Sequence, residues 1–80
     1  MIVYSRDGCH LCEDMLEQLH ELQQTGNLHD HPIKVYDIDC DPVLLKRFNT
    51  RVPVLEFNGE FICEYFLDQA TLLERLAKAD

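Results

Sequence analysis

Two cysteines stand three positions apart in Ser5-Arg6-Asp7-Gly8-Cys9-His10-Leu11-Cys12, directly after the apolar run Ile2-Val3-Tyr4. Sulfurs at this spacing can supply half of a metal site, crosslink the chain, or cycle between dithiol and disulfide. If a helix starts between them they lie one turn apart, within reach of a disulfide without much movement of the backbone. Cys9 then faces the unpaired amides and the positive end of the helix dipole, which favour a thiolate and make it the nucleophile. Cys12, one turn inside the helix and on the side of Met15 and Leu16, is expected to be more buried and to act as the resolving thiol. Arg6 and a protonated His10 add positive charge near Cys9, whereas Asp7, Glu13 and Asp14 oppose it.

Metal binding is the competing chemistry, with Cys9 and Cys12 as two ligands of an iron–sulfur carrier whose other ligands come from a second chain or from glutathione. Zinc asks for four ligands, usually in two close pairs, and the chain has no second Cys-x-x-Cys, so no metal ligands are assigned. Cys40 and Cys63 are isolated and are read as small buried hydrophobes. His29-Asp30-His31 precedes Pro32 in a polar stretch and reads as a solvated turn, and His20 as a solvated helix residue. Lys46, Arg47 and Arg51 read as helix-surface cations, with an anion-binding rim beside Cys9 as the alternative.

The elements that must position the dithiol follow from patterning. Met1 to Ser5 is β-branched and aromatic and reads as a strand. From His10 to Gln24 the residues Leu11, Met15, Leu16, Leu19 and Leu22 recur at helical spacing until Gly26 supplies a stop. Asn27 to Pro32 reads as a loop. Ile33, Val35, Tyr36 and Ile38 mark a second strand ending in Asp39-Cys40-Asp41, and Asp41 before Pro42 is a helix start, leading to a short helix through Phe48. Pro53 to Phe57 and Glu60 to Tyr65 flank Asn58-Gly59, a two-residue hairpin turn. Asp68 can cap a last helix with Leu72, Leu73, Leu76 and Ala77 on one face. The resulting β-α-β-α-β-β-α order predicts an α/β fold: one mixed four-stranded sheet flanked by three helices, in a single domain over residues 1–80.

Composition limits the function classes. A chain of 80 residues buries only about 60% of the surface it exposes when unfolded, so the core is thin. With 46% hydrophobic residues and only three glycines and three prolines it is globular rather than disordered. Its longest apolar runs fall far short of the roughly 20 residues of a membrane span. A formal charge of −8 argues against nucleic acid, which needs a cationic face. The start of the chain lacks the pattern of a secretory signal, so a cytoplasmic location is expected, where cysteines are mostly reduced, catalytic or metal-bound.

With dithiol and element order in place, the stretch from Tyr4 to Cys12 resembles the strand, basic residue and dithiol of glutaredoxins. Arg51-Val52-Pro53 is similar to their Val-Pro segment before the third strand, and Asn58-Gly59 to the hairpin that follows. The resemblance spans nearly the whole chain and is strongest to small prokaryotic glutaredoxin-like proteins. It implies the thioredoxin fold and a thiol–disulfide oxidoreductase without bound cofactor. Cys9 and Cys12 are then catalytic, and Arg6, His10, Arg51, Val52 and Pro53 line the substrate site. It also implies a cis peptide bond at Pro53 and a Val52 backbone that pairs with the bound thiol substrate. Glutaredoxins carry a Gly-Gly pair and a later Asp that hold glutathione. Here Phe61-Ile62-Cys63-Glu64-Tyr65-Phe66-Leu67-Asp68 offers only Asp68, so glutathione is a poor candidate co-substrate. A disulfide-containing protein or another small thiol is the expected partner of a monomer.

Overall fold

The computed structural model describes residues 1–26 and 31–78. Residues 27–30, with His29 and Asp30 and most of the expected loop, lie outside the described part. In chain order the elements are β1 (Ile2–Ser5), α1 (His10–Thr25), β2 (Lys34–Asp37), a 3-10 turn (Ile38–Cys40), α2 (Pro42–Phe48), β3 (Val54–Phe57), β4 (Glu60–Glu64) and α3 (Gln69–Lys78). The four strands form one sheet in the order β2-β1-β3-β4. β1 runs parallel to β2, with Val3 opposite Val35, and antiparallel to β3, with Val3 opposite Leu55. A parallel neighbour requires a crossover, which α1 supplies. The architecture is α/β, as the element order predicts, and thioredoxin-like, as the resemblance implies.

Strand alternation sends side chains to two apolar layers. Val3, Leu55 and Phe57 meet Met15 and Leu19 of α1 and Leu72 of α3 on one face. Tyr4 and Val54 meet Ile38, Phe48 of α2, Val52 and Cys12 on the other. Val3, Leu19, Leu55 and Leu72 are fully buried, each contributing about 1.5–3 kcal/mol of transfer free energy. β3 and β4 lose register between Leu55 and Glu56, where Leu55 faces Cys63 and Glu56 faces Phe61. Ile62 is the extra residue of this bulge, and so both Ile62 and Cys63 reach the same core layer.

Local chemistry accounts for the turns and caps. Asn58 and Gly59 both have positive φ, 52° and 78°, as a tight primed hairpin turn requires. Asp41 Oδ1 accepts from the Val43 and Leu44 amides at 2.9 and 3.5 Å, with Pro42 opening α2. Asp68 accepts from the Thr71 amide at 3.1 Å and from the Thr71 hydroxyl at 2.7 Å at the start of α3.

The second strand departs from expectation. It ends at Asp37, because the Asp37 carboxylate accepts from the Asp39 amide at 2.9 Å and offers the chain a tight turn instead of another ladder position. That turn leaves Cys40 exposed. Its assignment to packing is therefore corrected, while Cys63 is buried as read. β2 is an edge strand whose Val35 and Tyr36 remain 48% and 43% exposed.

One carboxylate is buried in the sheet. Glu56, 8% exposed, accepts from the Tyr4 hydroxyl at 2.9 Å, and Arg47 approaches it to 3.7 Å. Tyr4 in turn stacks on Phe48 with ring centroids 4.5 Å apart. Among the described residues no helix is long and apolar enough to cross a membrane.

Candidate active site

The loop Arg6-Asp7-Gly8 carries the chain from the end of β1 to the start of α1. Gly8 has φ +74°, a left-handed conformation that suits a residue without Cβ and turns the chain so that Cys9 caps the helix. The Cys12 amide donates to Cys9 Sγ across 3.1 Å, so sulfur occupies the place usually taken by a capping oxygen. Cys9 and Cys12 are joined as a disulfide, with Cα atoms 5.2 Å apart. Cys12 is only 2% exposed, whereas Cys9 is half-buried and is the more open residue of the pair.

Cys12 does not share the layer of Met15 and Leu16, as its helical phase suggests. It belongs with Tyr4, Ile38, Phe48, Val52 and Val54, and Cys9 packs against the same group. This shared cluster brings the disulfide to Val52, in the segment preceding β3. The Val52–Pro53 peptide bond is cis, and both residues are buried. Val52 thus lies in the apolar cluster around Cys12.

The expected cations are present but already engaged. Arg6 donates from Nε and Nη2 to the two carboxylate oxygens of Asp39, at 3.2 and 2.6 Å, and from Nη1 to the Asn49 carbonyl at 3.1 Å. This fork braces the loop before Cys9 against the 3-10 turn and the end of α2. It pushes the Arg6 pKa up and the Asp39 carboxyl down, the bidentate hydrogen bond being the main cause of both. Arg51 donates from Nε to Glu64 at 2.7 Å and lies 5.9 Å from the centroids of Phe48 and Phe61. His10 is exposed on the first turn, its Nδ1 3.8 Å from Glu13. Of the other sequence candidates, His20 is exposed and contacts Gln23 at 3.3 Å, and His31 packs edge-on to Phe57 at 5.4 Å. Among the described residues no three His, Cys, Asp or Glu side chains are grouped to hold a metal ion.

Two clefts flank the start of α1. One, about 300 Å³, is bounded by Ser5, Arg6, Asp7, Cys12, Glu13 and Asp37. The other, about 140 Å³, lies between Leu11 and Asp14 of α1 and Tyr65 and Phe66 of the loop after β4. Sequence reasoning missed this loop. Tyr65 has φ +66°, an outlier for a bulky side chain that costs on the order of 1–3 kcal/mol. It is pinned at both ends: its amide donates to the Pro53 carbonyl and its hydroxyl to the Thr50 carbonyl, each at 2.9 Å. The signal available in the sequence was two large aromatics in a strand-to-helix turn, where polar residues are usual.

The remaining thiols differ from the pair. Cys40 has its thiol pKa raised, chiefly by the charge of Asp37, and Cys63 has its raised chiefly by burial.

A disulfide at the start of the first helix, set on a β2-β1-β3-β4 sheet with a cis X-Pro bond before β3, defines a thioredoxin-like dithiol protein. More narrowly, the chain belongs to the glutaredoxin-like domain family (DUF836), whose family model matches residues 1–77. It is similar to protein Ne2328 from Nitrosomonas europaea, solved by solution NMR. The two are 38% identical with a TM-score of 0.78, over 92% of this chain and 86% of that one. It is also similar to XcR50 from X. campestris, an X-ray structure. Here the identity is 29% and the TM-score 0.70, over 99% of this chain and 97% of that one. No curated protein matches the chain.

Proposed function

We propose that this chain is a thiol–disulfide oxidoreductase in which Cys9 exchanges with substrate and Cys12 resolves. The observation that carries the reading is the asymmetry of the pair: Cys9 is the more exposed residue and its Sγ accepts a helix amide, while Cys12 is buried. In the reduced protein the Cys9 thiolate, favoured by that amide and the helix dipole, attacks one sulfur of a substrate disulfide. A Cys9–substrate disulfide forms and the other substrate sulfur leaves as a thiolate. Cys12, having given its proton to solvent, then attacks Cys9 Sγ. The Cys9–Cys12 disulfide forms and the second substrate thiolate leaves. Two electrons pass to the substrate, whose thiolates take up two protons, and an external thiol reverses the sequence to regenerate the dithiol.

In this reading Val52 offers its backbone to the substrate beside Pro53, and His10 stands at the mouth of the site. Arg6 and Arg51 act mainly as braces, because their guanidinium groups are held by Asp39 and Glu64. The partner is a disulfide-containing polypeptide or a small thiol other than glutathione. Asp68, the one glutathione-binding position that the sequence retains, spends its carboxylate on Thr71. A single copy of the chain acts without bound cofactor in a reducing compartment, the cytoplasm, where a thiol as exposed as Cys40 stays free. The test is capture: Cys12→Ser should accumulate mixed disulfides on Cys9 that Cys9→Ser does not form, and failure to trap any disulfide substrate contradicts the reading.

A further inference from the structure

Beyond the dithiol itself, the cleft between Leu11 and Asp14 of α1 and the Tyr65-Phe66 turn is a second feature without a use. Phe66 is 71% exposed and Tyr65 37%, so two aromatic rings stand at the surface beside the helix that bears the disulfide. Leu11, between the two cysteines, forms part of the same wall. The left-handed backbone at Tyr65 and its bonds to Thr50 and Pro53 hold this turn in place.

Charge around the cleft is one-sided. Asp14 lines it, and Asp7 and Glu13 line the neighbouring cleft. Among the described residues, Asp7 and Asp14 have no cationic partner within 4 Å, and Glu13 has only His10 at 3.8 Å. The two arginines that could balance them face Asp39 and Glu64 instead. A carboxylate beside exposed aromatic faces suits a guanidinium or ammonium on an apolar stem, which gains an ion pair and a cation–π contact together.

The geometry points to this cleft as the docking site for a cationic polypeptide substrate: an extended segment with an arginine or lysine a few residues from its disulfide cysteine. The inference rests on the redox reading of Cys9 and Cys12 and specifies what that site accepts. Basic charge would also speed encounter with a chain of formal charge −8.

The test uses the reduced protein and three disulfides: a small uncharged one, and two peptides alike except for arginine or glutamate flanking the cysteine. We expect the arginine peptide to be reduced about tenfold faster than the glutamate peptide at low ionic strength, with the gap narrowing at high salt. Asp14→Asn and Phe66→Ala should each shrink that ratio several-fold. Glu21→Gln, an equal change in net charge two turns further along α1, should leave the ratio unchanged. Reduction of all three disulfides at rates indifferent to peptide charge overturns this inference alone. Equal shrinkage by Glu21→Gln also overturns it, since overall charge rather than the cleft would then be selecting. Reduction of none overturns the redox reading and this inference with it.

Discussion

The backbone amide of Cys12 points at the sulfur of Cys9 across 3.1 Å, so the atom that caps α1 is also the atom that the proposed exchange presents to a substrate. In the proposed exchange, reactivity and helix stability are therefore linked at one sulfur, and among the described residues no other cysteine is the N-cap of a helix whose N-cap is defined.

In the reduced protein at neutral pH, Cys9 should be alkylated before the others. Cys40 is more exposed, but the neighbouring charge of Asp37 holds its thiol protonated, and Cys63 is held protonated by burial. Timed iodoacetamide labelling followed by peptide mass spectrometry reads the order directly. Faster labelling of Cys40 would mean that the helix N-terminus contributes less than exposure does.

Glutathione should be a poor reductant of this disulfide. Arg6 and Arg51 are held by Asp39 and Glu64, and the carboxylates around the site repel an anionic tripeptide. Releasing the arginines tests the cause. Asp39→Asn with Glu64→Gln should raise the rate of glutathione-dependent turnover several-fold, by about 1 kcal/mol of barrier. A wild-type rate matching that of an ordinary glutaredoxin would contradict the prediction.

How much of this was legible beforehand depends on the distance over which the cause acts. Asp41-Pro42, Asn58-Gly59 and the Leu11-to-Leu22 spacing are local signals, and each formed the element it announces. Cys9 at a helix start was likewise readable, because its cap partner lies three residues away. The capture of Arg6 by Asp39, across 33 residues, depends on a 3-10 turn that Asp37 imposes where strand pattern was expected to continue. The Ile62 bulge is a register effect between strands, and Tyr65 takes its conformation from partners at Thr50 and Pro53. Such relations appear only once the sheet has assembled, so the dithiol and the cis Val52-Pro53 segment were readable and the Arg6 brace and the Tyr65 turn were not.

Tyr4→Phe should lower stability by about 1–3 kcal/mol, because it removes the hydroxyl that satisfies the buried Glu56. Urea unfolding at pH 7 measures it, and a double-mutant cycle with Glu56→Gln should show coupling between the two. The alkaline limb gives a second readout. Burial first, then the hydrogen bond to Glu56, raises the Tyr4 pKa above its ordinary 10.0. A raised folded-state value stabilises below pH 10 and is lost as pH climbs through the folded value, so wild type should lose stability more steeply there than Tyr4→Phe. Identical slopes would show that the hydroxyl is not shielded in solution.

Dithiol–disulfide cycling at Cys9 and Cys12 is tested by equilibrating the protein with glutathione or dithiothreitol redox couples, quenching with a thiol reagent, and counting modified cysteines. One reversible two-electron transition confined to Cys9 and Cys12 is expected in the folded chain, with a potential in the range of about −270 to −120 mV spanned by thioredoxin-fold reductants and oxidants. A disulfide that stays closed until the chain unfolds, or reduced protein that cannot be reoxidised by any disulfide couple, would contradict it.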